Sequence, residues 1–198
     1  MFPDRDSHTS RKEDGVHMTA GELGFYFLLY SLFGWLLENV YSLFTQGVFW
    51  KEGFLKGPLK PMYGVAPLLL LIFLQEGEGV RPLLAALLCL IIPTVVEGIS
   101  GYLLFTIFGR RWWDYSGLRF QLGGHVCLRF SLYWGLLSAL MLKVVHPLVE
   151  QAYQSISLVW SVAGPLLLLL LAADLVWTCL TRRREFRGSL ILNPSGDE

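Results

Sequence analysis

Three carboxylates lie inside apolar stretches of this sequence, where an ionisable side chain needs either a polar partner or a functional role. Glu97 lies in LLCLIIPTVVEGISGYLLF, Glu38 in FGWLLENVY and Asp174 in LLLLLLAADLVW. A charged side chain at the centre of a bilayer costs from about 2.5 to more than 10 kcal/mol, so it should face protein or water rather than lipid. The three acids are therefore the first candidates for a site inside the membrane.

The depth of each acid in its apolar run separates the candidates. Glu97 lies about 17 Å from the end of its run, near the bilayer midplane, whereas Glu38 and Asp174 lie about 9 Å from theirs. Because intramembrane charges usually pair with one another, we expect Asp174 to form a structural salt-bridge network with Glu38 and Arg129. No cation in the sequence obviously reaches the depth of Glu97, and we favour a functional role there, as a proton relay or cation site.

Helical spacing gathers small and polar residues around two of these acids. At helical intervals from Glu97 lie Pro93, Thr94, Ser100 and Gly101, and at such intervals from Glu38 lie Ser31, Gly34, Trp35, Tyr41, Ser42 and Thr45. The pattern predicts two helices that each present a carboxylate on a polar face. A separate stripe of small residues, Cys127, Ser131, Gly135 and Ser138, is suited to close helix packing and predicts dimerisation through this face.

The composition identifies the class of protein that positions these residues. The chain has 198 residues, 54% of them hydrophobic and only 16% charged, with a mean hydropathy of +0.49. Such clustered apolar content indicates a membrane protein. The net charge is zero, which argues against nucleic acid as a partner. The three cysteines and four histidines show neither disulfide nor metal-ligand spacing, so we expect no metal and no cofactor.

The apolar runs predict an all-α, polytopic bundle of about five transmembrane helices. Four runs are long enough to cross a bilayer: residues 23–44, 83–108, 126–145 and 158–180. A fifth, residues 62–74, is short and carries Pro67, so it is either a span completed by the preceding loop or a re-entrant segment beside four spans. We divide the chain into a disordered polar tail (1–18), a transmembrane domain (19–181) and a basic tail (182–198).

Lysines and arginines near the spans predict the orientation. With five spans and an outer N-terminus, the inner side receives Lys51, Lys56, Lys60, Arg110, Arg111, Arg119, Arg129, Arg182, Arg183, Arg184 and Arg187. With four spans, the N-terminal tail and the first loop exchange sides. Both versions place the WWDYS loop and the C-terminus in the cytoplasm, and we expect a multi-pass protein of a bacterial plasma membrane.

Two loops add candidate residues at the membrane face. The segment GVFWKEGFLKGPLKPMYG carries Lys56, Lys60 and Tyr63, and its lysines and amides suit either a positively charged connector or an anionic headgroup. The segment GRRWWDYSGLRFQLGGHVCLRFS carries Asp114 and His125, residues of the kind used for chemistry or capping, beside interface tryptophans.

Several ordered motifs are similar to a known family. FGWLLENVY, GFLKGPLKPMYG, VVEGISGY, WDYSGL and LRFSLYWGLL followed by HP resemble small bacterial integral membrane proteins described as type IV ABC-transporter permeases, CmpB-like, over about residues 22–149. The resemblance implies a permease subunit that would need a separate ATPase subunit. It gives weight to the following motif positions without assigning them roles: Glu38, Gly57, Pro58, Pro61, Tyr63, Gly64, Glu97, Trp113, Asp114, Tyr115, Ser116, Arg129, Ser131, Trp134 and His146.

These observations leave three functional hypotheses. In the first, the chain is a transporter subunit whose carboxylates line a cavity between helices. In the second, it is a membrane enzyme acting on a lipid or isoprenoid at the cytoplasmic face, with Asp114, His125 or Glu38 as acid and base and Lys56, Lys60 or Arg129 holding a phosphate. In the third, it is an accessory or sensory membrane subunit without a substrate.

Overall fold

A computed structural model describes residues 18–75 and 81–192 of the chain, with side chains described for 18–74 and 81–188. The predicted disordered tail lies outside the described residues apart from Met18. The predicted all-α membrane fold is confirmed, since long apolar helices make up most of the structure.

The first helix, α1, runs from Ala20 to Gln46 and has a defined signal at each end. Thr19 and Glu22 form a reciprocal capping box, which satisfies amide groups that the first turn leaves free. Gly47 ends the helix with φ +71°, a left-handed conformation that costs little for glycine. With 27 residues, α1 is about 40 Å long and can cross a bilayer.

The loop after α1, residues 47–60, turns back along the helix that it follows, and we call it the first returning loop. The amide of Lys51 donates to Asn39 Oδ1 over 2.8 Å, and the amide of Lys60 donates to the Ser31 carbonyl over 3.1 Å. The loop therefore brings the start of α2, Pro61–Gln75, to the middle of α1. The 15 residues of α2 are too short to span a bilayer alone. Both alternatives, a span completed by the returning loop and a re-entrant segment, stay predictions.

The third helix, α3, runs from Pro82 to Phe108 and ends at Gly109, which has φ +63°. The second returning loop, residues 109–127, follows. It contains two short antiparallel strands, β1 (Gln121–Leu122) and β2 (Val126–Cys127).

The remaining described chain is helical without interruption. It comprises α4 (Leu128–Leu140), a π-helical turn (Met141–Val145) and α5 (His146–Leu192). The prediction of about five separate helices is therefore not confirmed, since the described residues form four. The predicted span 158–180 and all but the first two residues of the predicted span 126–145 belong to one continuous helix. Pro147, which has no amide hydrogen to donate, lies just after the π-helical turn and does not end the helix.

This long helix approaches α1 twice, in opposite directions. Its successive contacts with α1 and the first returning loop are Phe130 with Tyr41, His146 with Tyr30, Trp160 with Gly21, Asp174 with Gly57, and Arg182 with Glu52. A straight rod cannot reach the N-terminal end of α1 and then return, so the helix bends. The π-helical turn and Pro165 are features of the kind that bend helices.

Both returning loops and the last turns of α5 meet at one end of the bundle, which we call the loop end. Glu52 accepts hydrogen bonds from Arg110 over 3.1 Å and from Arg182 over 2.6 Å, which ties the three segments together. At the opposite end, aromatic side chains form the core between α1 and α5, with Phe25 and Trp160 edge to face at 5.1 Å. Large apolar side chains cover much of the outer surface, as expected where lipid is the solvent.

Candidate functional site

Glu97 lies halfway along α3 and is almost completely enclosed, with 2% of its surface exposed. Its Oε1 accepts a hydrogen bond of 2.9 Å from the Tyr115 hydroxyl, and its Oε2 has no hydrogen-bond partner among the described residues. Within the two described ranges, no lysine, arginine or histidine nitrogen lies within 4.0 Å of this carboxylate. Glu97 is therefore enclosed by protein, and no described cation neutralises it.

Tyr115 reaches Glu97 because the second returning loop folds into the bundle. Gly101 of α3 leaves room for the loop: a Cβ at this position would lie 3.0 Å from both the Trp113 and the His125 rings. The Trp113 indole donates to the His125 carbonyl over 2.9 Å and closes the loop on itself. The Tyr115 ring then stacks on Phe130 with centroids 4.7 Å apart, which aims its hydroxyl at α3.

Glu38 is the second buried acid, and it is held by the first returning loop. Its carboxylate pairs closely with Lys60, lies 3.6 Å from Lys51 Nζ and accepts a 2.8 Å hydrogen bond from the Tyr63 hydroxyl. The side chains of Lys60 and Glu38 are 12% and 20% exposed, so this pair is largely shielded from solvent. Glu38 is thus neutralised by the loop, whereas Glu97 is not neutralised by any described residue.

Two aromatic side chains connect the acids. Tyr63, which donates to Glu38, packs its ring edge to face on Trp134 with centroids 5.5 Å apart. Trp134 interacts electrostatically with Glu97, although neither its Nε1 nor Glu97 Oε2 makes a well-aligned hydrogen bond. We call Glu38, Tyr63, Trp134 and Glu97 the polar layer. The sequence motifs contain both aromatic residues, but only the fold brings them between the two acids.

Cavities lie on both sides of the polar layer. One of about 230 Å³ lies among α1 to α4 and is lined by apolar side chains together with Tyr63, Glu97 and Trp134. Another of about 250 Å³ lies under the returning loops and is lined by Glu38 and Lys60 among others. Met62 lines both cavities, so α2 begins at the wall that separates them.

The predicted salt-bridge network of Glu38, Asp174 and Arg129 is wrong. Asp174 instead accepts hydrogen bonds from the Gly57 amide over 2.9 Å and from the Thr178 hydroxyl over 3.1 Å. Arg129 donates to the Tyr133 hydroxyl over 3.1 Å and lies outside the polar layer. The difference arises because the first returning loop places lysines beside Glu38 and a backbone amide beside Asp174.

Other predicted residues lie apart from the two acids. Asp114 accepts hydrogen bonds from Ser116 and Arg111, and these partners, Ser116 first, hold the pKa of its carboxyl below the usual value, so Asp114 is a charged cap of its own turn. His125 packs near Phe105, and Lys56 lies 5.8 Å over the Trp177 ring. Tyr41 is half exposed beside Phe130.

The stripe of small residues that was predicted to mediate dimerisation packs against another helix of the same chain. Cys127, Ser131 and Ser138 are buried, and Gly135 faces Leu90 of α3. This stripe therefore serves α3–α4 packing. In the part of the chain that the structure describes, no group of three His, Cys, Asp or Glu residues is arranged to hold a metal ion.

We expect Tyr115→Phe to destabilise the fold by about 2 kcal/mol, because it removes the hydrogen bond to a buried carboxylate. The measurement is the free energy of unfolding in detergent. Tyr102→Phe is the matched control, since Tyr102 is 61% exposed and its hydroxyl makes no hydrogen bond to a described residue. Equal effects of the two substitutions would show that the contact of Tyr115 with Glu97 contributes nothing.

Comparison with known proteins places the chain in a family. Residues 25–179 match the family model described as "Putative ABC-transporter type IV". No curated protein and no solved structure matches the chain at a significant level. The matched range contains both acids, both returning loops and most of the long helix, and covers more than half of the sequence. This membrane protein therefore belongs to the CmpB-like type IV ABC-transporter family.

Proposed function

We propose that the chain is a transporter subunit in which Glu97 binds a proton or a monovalent cation, and Glu38 lies on the same path. The observation that carries this proposal is a carboxylate halfway along a membrane-length helix that is enclosed, lines a cavity and has one oxygen without a partner among the described residues. Intramembrane acids of this kind mark ion and proton pathways.

The arrangement of cavities supports the path. Met62 lines both the cavity at Glu97 and the cavity at Glu38 and lies between them. The next residue, Tyr63, donates a hydrogen bond to Glu38. A small shift of the start of α2 would join the two cavities. An ion released from Glu97 would then meet Glu38, which the lysines of the first returning loop hold in the present arrangement.

The distribution of charge supports an orientation with the returning loops in the cytoplasm. Glu52 joins Arg110 and Arg182 at the loop end, and the lysines of the first returning loop lie at the same end. Such an excess of positive charge is typical of the cytoplasmic side. The C-terminus would then be cytoplasmic in a bacterial plasma membrane, where a separate ATPase subunit would supply ATP hydrolysis.

Reconstituted vesicles test the proposal. We expect the wild-type protein to carry protons, Na⁺ or K⁺ above the rate of protein-free vesicles, and we expect Glu97→Gln to reduce this flux to the protein-free rate. The same substitution should not lower the melting temperature, because the oxygen of the introduced amide can still accept the Tyr115 hydrogen bond while a buried charge is removed.

Glu150→Gln is the matched control, because Glu150 is an exposed carboxylate outside the polar layer. It should leave the flux unchanged. The proposal fails if wild-type protein carries none of the three ions, or if Glu97→Gln carries them at the wild-type rate.

A further inference from the structure

A cationic cleft lies at the loop end of the bundle. It has a volume of about 230 Å³, and its charged lining residues are Lys51, Lys56, Lys60, Arg182 and Glu52. Four cations thus surround one carboxylate, which Arg182 and Arg110 already bind. Glu38 partly neutralises Lys51 and Lys60, and Glu185 pairs with Arg182, so the positive charge that the cleft retains is centred on Lys56.

Lys56 is the cation of the cleft whose ammonium group has no described carboxylate partner. It lies over the Trp177 ring. The Nε atom of Arg182 is buried and has no hydrogen-bond partner among the described residues. Lys60 is closely paired with Glu38, and Arg182 donates to Glu52 and Glu185. Lys51 lies 3.6 Å from Glu38 but is one-third exposed, so Lys56 and then Lys51 are the residues with capacity for an anion.

An apolar groove continues directly from this cleft into the membrane. It has a volume of about 800 Å³ and lies between α1 and α5, with Leu32, Ala163 and Leu167 among its lining residues. Lys56 and Gly57 line both the groove and the cleft. The volume of the groove lies within the roughly 300–1,000 Å³ typical of small-molecule sites.

We propose that cleft and groove together bind one anionic membrane lipid. Its phosphate lies between Lys56 and Lys51, and an acyl chain lies between α1 and α5. The cleft matches the charged headgroup at the membrane face. The groove matches the apolar acyl chain at bilayer depth. The tryptophans Trp35 and Trp50, which line the cleft, are residue types that prefer the headgroup level. The inference is independent of ion binding at Glu97.

Acidic residues near the site do not occupy its phosphate position. Asp174, at the junction of cleft and groove, is held by the Gly57 amide and by Thr178. Its role is to fix the loop that carries Lys56. Glu52 is held by two arginines, Glu38 by Lys60 and Glu185 by Arg182.

Lipid titration of the purified full-length protein tests the proposal. In low salt, phosphatidylglycerol should bind more tightly than phosphatidylcholine. Each lysine near a lipid surface is worth roughly a fivefold change in affinity, so Lys51→Gln/Lys56→Gln should weaken phosphatidylglycerol binding by about 30-fold and leave phosphatidylcholine unchanged. Arg119→Gln, which removes an exposed charge in the second returning loop, is the matched control and should change neither affinity.

A second variant tests the acyl chain. Ala163→Trp fills the groove and should weaken both lipids while thermal unfolding of the protein stays unchanged. If it leaves phosphatidylglycerol affinity intact and inorganic phosphate competes fully, the cleft binds a water-soluble anion and the proposal is wrong. The proposal is also wrong if the double lysine variant, or Lys56→Gln alone, keeps the wild-type preference.

Discussion

Lys60→Met is expected to destabilise the folded protein by about 3 kcal/mol, as is typical when one partner of a buried ion pair is removed. Lys60 and Glu38 are both mostly buried, so water cannot replace the lost ammonium group. Lys51, at 3.6 Å and one-third exposed, compensates only in part. The free energy of unfolding in detergent measures the effect.

Lys51→Met is the matched control for this substitution. Because Lys51 is farther from Glu38 and more exposed, its removal should cost about 1 kcal/mol or less. The double variant Glu38→Gln/Lys60→Met removes both charges and should recover part of the loss, since no unpaired acid then remains. Equal losses for Lys51→Met and Lys60→Met would contradict the assignment of Lys60 as the main partner.

The sequence identifies the two buried acids as unusual but does not identify their partners. Glu38 and Glu97 stand out because charged residues are rare in apolar runs, a property that needs no tertiary information. Their partners come from loops that fold back into the bundle. The backbone hydrogen bond from Lys60 to Ser31 joins residues distant in the chain. No local pattern in the loop sequence indicates that the loop reaches the middle of α1.

The contact of Tyr115 with Glu97 could not be predicted from the sequence for the same reason. In the sequence, Tyr115 follows two tryptophans and an aspartate, a composition typical of a loop at the membrane surface. Its inward position depends on the space left by Gly101 of α3 and on the stacking of its ring with Phe130. Both conditions join segments that are separate in the chain, so the fold alone reveals this contact.

Two further differences between prediction and structure concern helix packing. Small residues at helical spacing predict close packing but do not say against which surface, and the stripe through Ser131 and Gly135 packs on α3 of the same chain. Likewise, polar residues between two apolar runs suggest a loop, yet residues 146–157 stay helical, with Pro147 as their single helix-breaking residue. Local pattern therefore predicts which residues pack, while the fold decides their partners.

Gly64→Ala is expected to destabilise the protein by about 3 kcal/mol, at the upper end for overpacking in a tight interior. A Cβ at Gly64 would lie 2.6 Å from the Phe27 carbonyl oxygen and 2.5 Å from Ser31 Oγ. The carbonyl belongs to the backbone of α1 and cannot rotate away, so α1 and α2 must separate. Because Tyr63 is the adjacent residue, the separation should also weaken its hydrogen bond to Glu38 and reduce ion flux.

Gly135→Ala is the matched control, since it makes the same change inside another membrane helix. Its Cβ would meet Leu90 at 3.4 Å, an ordinary van der Waals distance, and alanine is favoured over glycine in a helix by up to about 1 kcal/mol. The two substitutions should therefore change the free energy of unfolding in opposite directions. A neutral or stabilising Gly64→Ala would show that α1 and α2 do not cross as closely as Gly64 allows, and the wall between the two cavities would lose its structural basis.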